Sequence, residues 1–222
     1  MKFSIVVPML NESTGLPDLC EHLVLLARSG VEIIFVDGGS QDGSEAIARA
    51  AGFRVLTSAA GRARQMNAGA AASSGDVLLF LHADTRLPPG AMIAIAQALR
   101  SHQWGRFDVR IAGKPMALRM VSALMNWRSR LSGIATGDQG LFMTREAFEA
   151  VGGFADQPLM EDIDICRALK TGGKPACLAL QVVTSGRRWE QRGVWRTIAL
   201  MWWLRWRYWL GTPVEDIARA YR

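Results

Sequence analysis

Cysteine is scarce in this chain. Three thiols, Cys20, Cys166 and Cys177, are scattered through 222 residues, with no Cys-x-x-Cys pair. An odd, widely spaced set argues against a disulfide framework and a cysteine zinc site, and makes a reducing cytoplasm the expected compartment. A signal-peptide pattern is missing too. The opening apolar run stops at Pro8 and Asn11, too early for a signal core followed by a small-residue cleavage site, so it reads as a buried first strand. Charged residues make up 21% and hydrophobic residues 50%, which excludes a disordered chain and allows a sizeable core. The length suits one large domain better than two small ones. No internal repeat, low-complexity tract or linker stands out.

The net charge of +6 is unevenly spread. Eight arginines lie between Arg187 and Arg222, against Glu190, Glu215 and Asp216. The body is therefore close to neutral, and a nucleic-acid-binding surface is not indicated.

Hydrophobic patterning alternates over the first hundred residues. Strands are expected over 2–7, 31–36, 53–57 and 77–81, and helices over 13–29, 42–51, 62–74 and 91–100. This order implies βαβ units and a mainly parallel sheet flanked by helices, an α/β fold. Further on, strands are expected over 106–111 (half-exposed), 137–143 and 180–184. Helices are expected over 116–131, 146–151, 160–171 and 195–210. In such sheets ligands bind beyond the carboxyl ends of the strands. Polar clusters fall at those ends: Asn11-Glu12, Asp37–Asp42 and His82-Ala83-Asp84.

Four segments carry chemistry. In Asp37-Gly38-Gly39-Ser40-Gln41-Asp42-Gly43-Ser44, glycines permit close approach of a ligand to backbone, and Asp37 can accept hydrogen bonds from a base or sugar. The plain alternative is a turn with a helix cap. Asp84, just past a strand, can hold a hard divalent cation; the alternative is a loop aspartate. Glu161-Asp162 opens a helix, where the dipole favours acids in any case, and a carboxylate there can serve as general base. Arg62, Gln65 and Asn67 at a helix start can meet phosphate or ribose, or can be a solvated helix end.

Taken in order, these segments resemble the family 2 glycosyltransferases of GT-A (Rossmann-related) fold. The motifs are Val6-Val7-Pro8-Met9-Leu10-Asn11-Glu12, Val36–Ser44, Gly61–Gly69, His82-Ala83-Asp84 in place of Asp-x-Asp, and Gly152-Gly153-Phe154 followed by Glu161-Asp162. The likeness spans roughly residues 3–189, and it is similar in detail to a small bacterial subgroup. It implies an inverting transfer of a sugar from a nucleoside diphosphate donor, UDP above all, to an acceptor hydroxyl. It implies Mg2+ or Mn2+ at Asp84, with His82 in place of the first Asp favouring Mn2+. Asp162, with Glu161, matches the base. Pro8, Asn11, Glu12, Asp37, Gly39, Arg62, Gln65, His82 and Ala83 fall on the nucleotide side. Gly137, Asp138, Gln139, Arg188 and Trp189 fall on the acceptor and diphosphate side.

Residues 1–190 read as the transferase domain and 191–222 as a helical tail packed on it or extending it. Six of the eight tryptophans lie from Trp189 onward, among arginines. The apolar stretch there is too short and too charged to span a bilayer. It suits peripheral contact through 194–210 with the inner face of a membrane, or packing on the core or in a homodimer. A lipid-linked acceptor would follow from membrane contact. A nucleotidyltransferase is disfavoured by acidic Glu12, where a basic triphosphate loop is needed. A degenerate, non-catalytic scaffold draws support from His82 but is opposed by Asp37, Asp84 and Asp162 all being present.

Overall fold

The computed structural model describes residues 1–221. One eight-stranded sheet forms the centre: β1 (Phe3–Met9), β2 (Glu32–Asp37), β3 (Arg54–Thr57), β4 (Val77–Phe80), β5 (Thr85–Arg86), β6 (Trp104–Ala112), β7 (Leu141–Thr144) and β8 (Ala176–Ser185). Their spatial order is β3-β2-β1-β4-β7-β6-β8-β5. The first four pair in parallel, β6 pairs in parallel with β8, and β7 and β5 run antiparallel to their neighbours. The expected mixed, mainly parallel α/β sheet is what forms.

Alternation along β1 sends side chains to two cores. Ile5, Val7 and Met9 join Leu16, Leu19 and Leu23 of α1 (Leu16–Arg28) and Ile95 of α4 (Ala91–Ala98). Val6 faces the other way, with Val36, onto Met66 and Ala70 of α3 (Arg62–Ala72), and with Cys166 of α7 (Glu161–Gly172). Burying each such side chain stabilises the fold by about 1.5–3 kcal/mol. Helix α3 lies so close to β1 that a Cβ on Gly69 would fall 2.3 Å from Val6 Cγ1. Asn67 exchanges two hydrogen bonds with the Phe154 backbone, at 2.8 and 3.0 Å. Asn67 and Gly69 thus hold α3 between the sheet and the Gly152-Gly153-Phe154 loop.

The remaining helices are α2 (Ser44–Ala50), α5 (Ala117–Ser132), α6 (Arg145–Ala150), α8 (Arg187–Arg192), α9 (Val194–Trp209) and α10 (Val214–Tyr221). Several sequence expectations need correction. Residues 137–139 form a 3-10 turn rather than the start of a strand, because Thr136 and Gln139 cap each other across it. The last strand runs over Ala176–Ser185, held along its length by β6 with one register shift at Phe107/Asp108. β6 is not half-exposed at Arg106: this side chain is wholly buried and paired with Asp108. Helices α8 and α10 and strand β5 were not expected; β5 is two residues held only by β8. In the tail, Leu204 of α9 and Ile217 of α10 are buried against Met160 and Ile163 at the start of α7.

Candidate active site

The carboxyl ends of β1 and β2 are locked together by side chains. Asn11, with φ of 55°, accepts from the Gln41 N–H and its own N–H donates to Ser40 Oγ, both at 2.9 Å. Asp37 is buried and its Oδ2 accepts from the Gly39 and Ser40 N–H groups at 2.9 Å, so its carboxylate holds the turn. Asp42 accepts from Ser13 and Ser44; bonds from Ser44, then Ser13, hold its carboxyl well below the usual range. Gln65 is buried too, its Nε2 donating to the Met9 and Val36 carbonyls at 2.8 Å. Asp37 and Gln65 therefore brace the rim. Pro8 and Ala83 are buried, while Glu12 stays partly open and pairs with Arg187 at 2.7 Å. Arg187, at the start of α8, bridges the ends of β8 and β1, a role that nothing local in the Arg-Arg-Trp-Glu run announces.

A second group gathers around the start of α7. Gly137 N–H donates to Asp162 Oδ2 at 3.1 Å and Ile163 N–H to Oδ1 at 2.8 Å. Glu161 is buried and pairs with Arg62 at 3.4 Å. His82 Nδ1 lies 3.0 Å from Asp138 Oδ1. A Cβ on Gly137 would fall 2.3 Å from His82 Nε2, so only glycine fits there. Arg62, His82, Gly137, Glu161 and Asp162 line one small pocket with Met66, Phe80, Leu141 and Phe154.

The fields in this pocket differ between its acids. Burial, then the neighbouring Glu161 charge, pushes Asp162 up to about 6. Burial would also raise Asp138, but the bond and charge of His82, with Arg62 and Arg188, hold it below its ordinary value. Burial opposes the charge on Arg62, yet Glu161, Asp138 and Asp162 raise its pKa. A carboxyl raised toward neutrality can take a proton near physiological pH.

The family described as glycosyl transferase family 2 matches residues 4–143. The chain belongs to that family. Asp162 lies beyond the matched residues. An undecaprenyl-phosphate 4-deoxy-4-formamido-L-arabinose transferase of Pseudomonas aeruginosa (strain LESB58) is 33% identical over 143 residues, covering 60% of this chain and 40% of the relative. The counterpart from Sodalis glossinidius is 29% identical over 164 residues, covering 64% and 48%. The chain thus matches less than half the length of these relatives. Among solved structures, a Pyrobaculum calidifontis mannosyltransferase in complex with GDP-Man and Mn2+ is similar with TM-score 0.61 and 18% identity, over 82% of this chain and 56% of that one. Glucosyl-3-phosphoglycerate synthase from Mycobacterium tuberculosis, with Mn2+, UDP and phosphoglyceric acid, has TM-score 0.63 and 22% identity, over 81% and 69%. At these identities the likeness is one of fold, the GT-A arrangement.

Within the family 2 chain, Asp84 is partly open. The Thr85 and Thr184 hydroxyls reach its Oδ1 at 3.2 and 3.4 Å, which leaves Oδ2 for a cation. Among the described residues no three His, Cys, Asp or Glu side chains converge on one point. His82 is engaged with Asp138 and belongs to the Asp162 group. Gln139 is buried under its turn, and Trp189 packs against Ile111, Leu118 and Val121. Arg188 stacks on Tyr221, its guanidinium carbon 3.8 Å from the ring centroid, and donates to the Tyr221 hydroxyl. Tyr221 was not foreseen, since only the return of α10 brings it there.

Proposed function

We propose that the chain is an inverting glycosyltransferase that moves a sugar from a nucleoside diphosphate donor, UDP above the alternatives, to an acceptor oxygen. The observation that carries this reading is Asp162: a carboxylate with a raised pKa, held by two backbone N–H groups beside Arg62 and His82. Asp162 takes the acceptor proton as the acceptor oxygen attacks the anomeric carbon. The bond from that carbon to the diphosphate breaks, and the diphosphate leaves with the electron pair. A divalent cation at Asp84 would neutralise charge on the leaving group. Arg188, stacked on Tyr221 near Asp138, is aimed to meet the diphosphate. Titrating UDP, GDP and dTDP with Mn2+, Mg2+ or chelator is the test. Metal-dependent binding of one nucleotide supports the reading; binding of none overturns it.

Membrane contact belongs to the same proposal. No helix among the described residues is long and apolar enough to cross a membrane. On α9, however, Trp195, Trp202, Trp206 and Trp209 are 61–80% exposed in one stripe. A second stripe runs along α5 through Met116, Met120, Leu124, Trp127 and Leu131. The two helices share a cluster through Leu118, Val121, Val194 and Ile198. Tryptophan with flanking arginine suits the interface of an anionic bilayer, here its cytoplasmic face. Replacing Trp202 and Trp206 by serine should weaken binding to anionic vesicles about tenfold. Unchanged vesicle binding in sedimentation would remove the membrane from the proposal.

A further inference from the structure

The start of α7, which carries Glu161 and Asp162, is poorly held by its own sequence. Met160, just before it, takes a left-handed φ of 68° without being glycine and gives the helix no side-chain cap. A non-glycine residue keeps that conformation only where its surroundings fix it. Two adjacent acids follow: Glu161 is buried, and its charge acts against that of Asp162. The turn needs support from outside itself. Part of it comes from the body of the fold, where the Gly137 N–H donates to Asp162 and Arg62 pairs with Glu161.

The rest comes from the tail. Met160, Ile163 and Asp164 recur at helical spacing and share the face of α7 that meets α9. Met160 and Ile163 pack with Ile217 and with Leu204, which is wholly buried. One turn beyond Leu204, the Tyr208 hydroxyl donates to Asp164 Oδ1. Gln157 Nε2 donates to the other oxygen of Asp164 at 2.9 Å. Arg167 lies 3.6 Å from Asp164, with its guanidinium carbon 5.2 Å from the Tyr208 ring centroid. Burial, then the Asp164 bond, pushes the Tyr208 hydroxyl up to about 12, so it stays a donor at any working pH. Tyr208 and Asp164 line no part of the Asp162 pocket. Their bond and the Leu204 contact nevertheless hold the chain on both sides of Asp162.

We infer that Tyr208, with Leu204, is a positioning residue for Asp162: the tail helix holds the start of α7, and the base is set for proton transfer only while α9 is seated there. This rests on the glycosyltransferase reading, which makes Asp162 the base. The same helix carries the exposed tryptophans, which ties the proposed membrane contact to the base.

The experiment compares the full chain with Tyr208→Phe, which keeps the ring and removes only the hydroxyl. Three quantities are read: amide exchange at Gly137 and Ile163, titration of the Asp162 carboxyl by carbon-13 NMR, and affinity for UDP with Mn2+. In the variant both amides should exchange about tenfold faster, while amides later in α7 keep their wild-type rates. Burial is the largest cause of the raised Asp162 pKa, so the carboxyl should titrate below its wild-type value of about 6. The charges of Glu161, Arg62, Asp138 and Arg128 also act on Asp162, and the Tyr208 change removes none of them. UDP affinity should stay the same. Asp164→Ala should repeat the effect, and the double variant should be no worse than either single change. Trp202→Ser, on the outer side of the same helix, should leave all three quantities at wild-type values. Wild-type exchange at Gly137 and Ile163 in Tyr208→Phe, with the Asp162 titration unmoved, overturns the positioning role and leaves Asp162 as the base. Loss of UDP affinity in Tyr208→Phe also overturns it, because the hydroxyl would then support the donor side. A wild type that binds no nucleotide removes the glycosyltransferase reading, and the positioned base with it.

Discussion

Asp162→Asn should lower turnover by about 10²- to 10⁴-fold, the range general base catalysis supplies, and leave nucleotide affinity nearly unchanged. Asparagine keeps an acceptor for only one of the Gly137 and Ile163 N–H groups, so it removes the proton-accepting charge together with one backbone hydrogen bond. In the wild type, kcat/KM should rise with pH through about 6, where burial and Glu161 have placed this carboxyl, and the variant should lose that step. The sign for stability is opposite to that of a paired acid. A carboxyl whose pKa is raised by folding binds its proton more tightly in the native state, so stability falls as pH climbs from about 4 toward 6. Relief of the charge should contribute about 1–2 kcal/mol at pH 7, discounted for partial exposure, and the backbone N–H left without an acceptor offsets it by a similar amount, so the variant's stability should change little at pH 7 and lose its pH dependence between about 4 and 6. A variant with wild-type turnover, or one that keeps the pH step near 6, would exclude Asp162 as the base.

Asp84→Ala should have the second-largest effect. On the proposed reading, the cation loses its Asp84 carboxylate in that variant. Nucleotide affinity with Mn2+ should then drop by about 100-fold, the upper end of what losing even an outer partner of a metal ligand costs. Affinity in chelator should barely move. The Thr85 and Thr184 hydroxyls lose an acceptor but still meet each other at 3.0 Å, so the fold should survive. Calorimetric titration with and without metal reads both quantities. Equal metal dependence in variant and wild type would move the cation site elsewhere.

The parallel half of the sheet was legible because each of its strands is a short β-branched run followed by a periodic helix. Asp162 and Glu161 were legible because both stand in the first turn of one helix. Asp37 and Gln65 carry structural bonds that local sequence does not announce. Each sits in a segment that suggests a nucleotide contact, and each is engaged in bracing the ends of β1 and β2. His82 reads locally as a replacement for a metal-side aspartate, yet its partner is Asp138, which a different turn supplies. Arg106 falls on an alternating pattern and looks exposed, but β6 lies between β7 and β8, and its first half, Trp104–Phe107, is buried on both faces while Arg110 stays exposed.

From local order alone come the α/β class and the polar clusters at the strand ends, because hydrophobic period and turn chemistry act over a few residues. The neighbours of the site residues were decided by tertiary structure. His82 with Asp138, Arg62 with Glu161, and Arg188 with Tyr221 all join segments tens of residues apart. Such pairs are set by sheet order and by how α7 and α10 settle on it, and the resulting burial, not residue type, is what shifts Asp162.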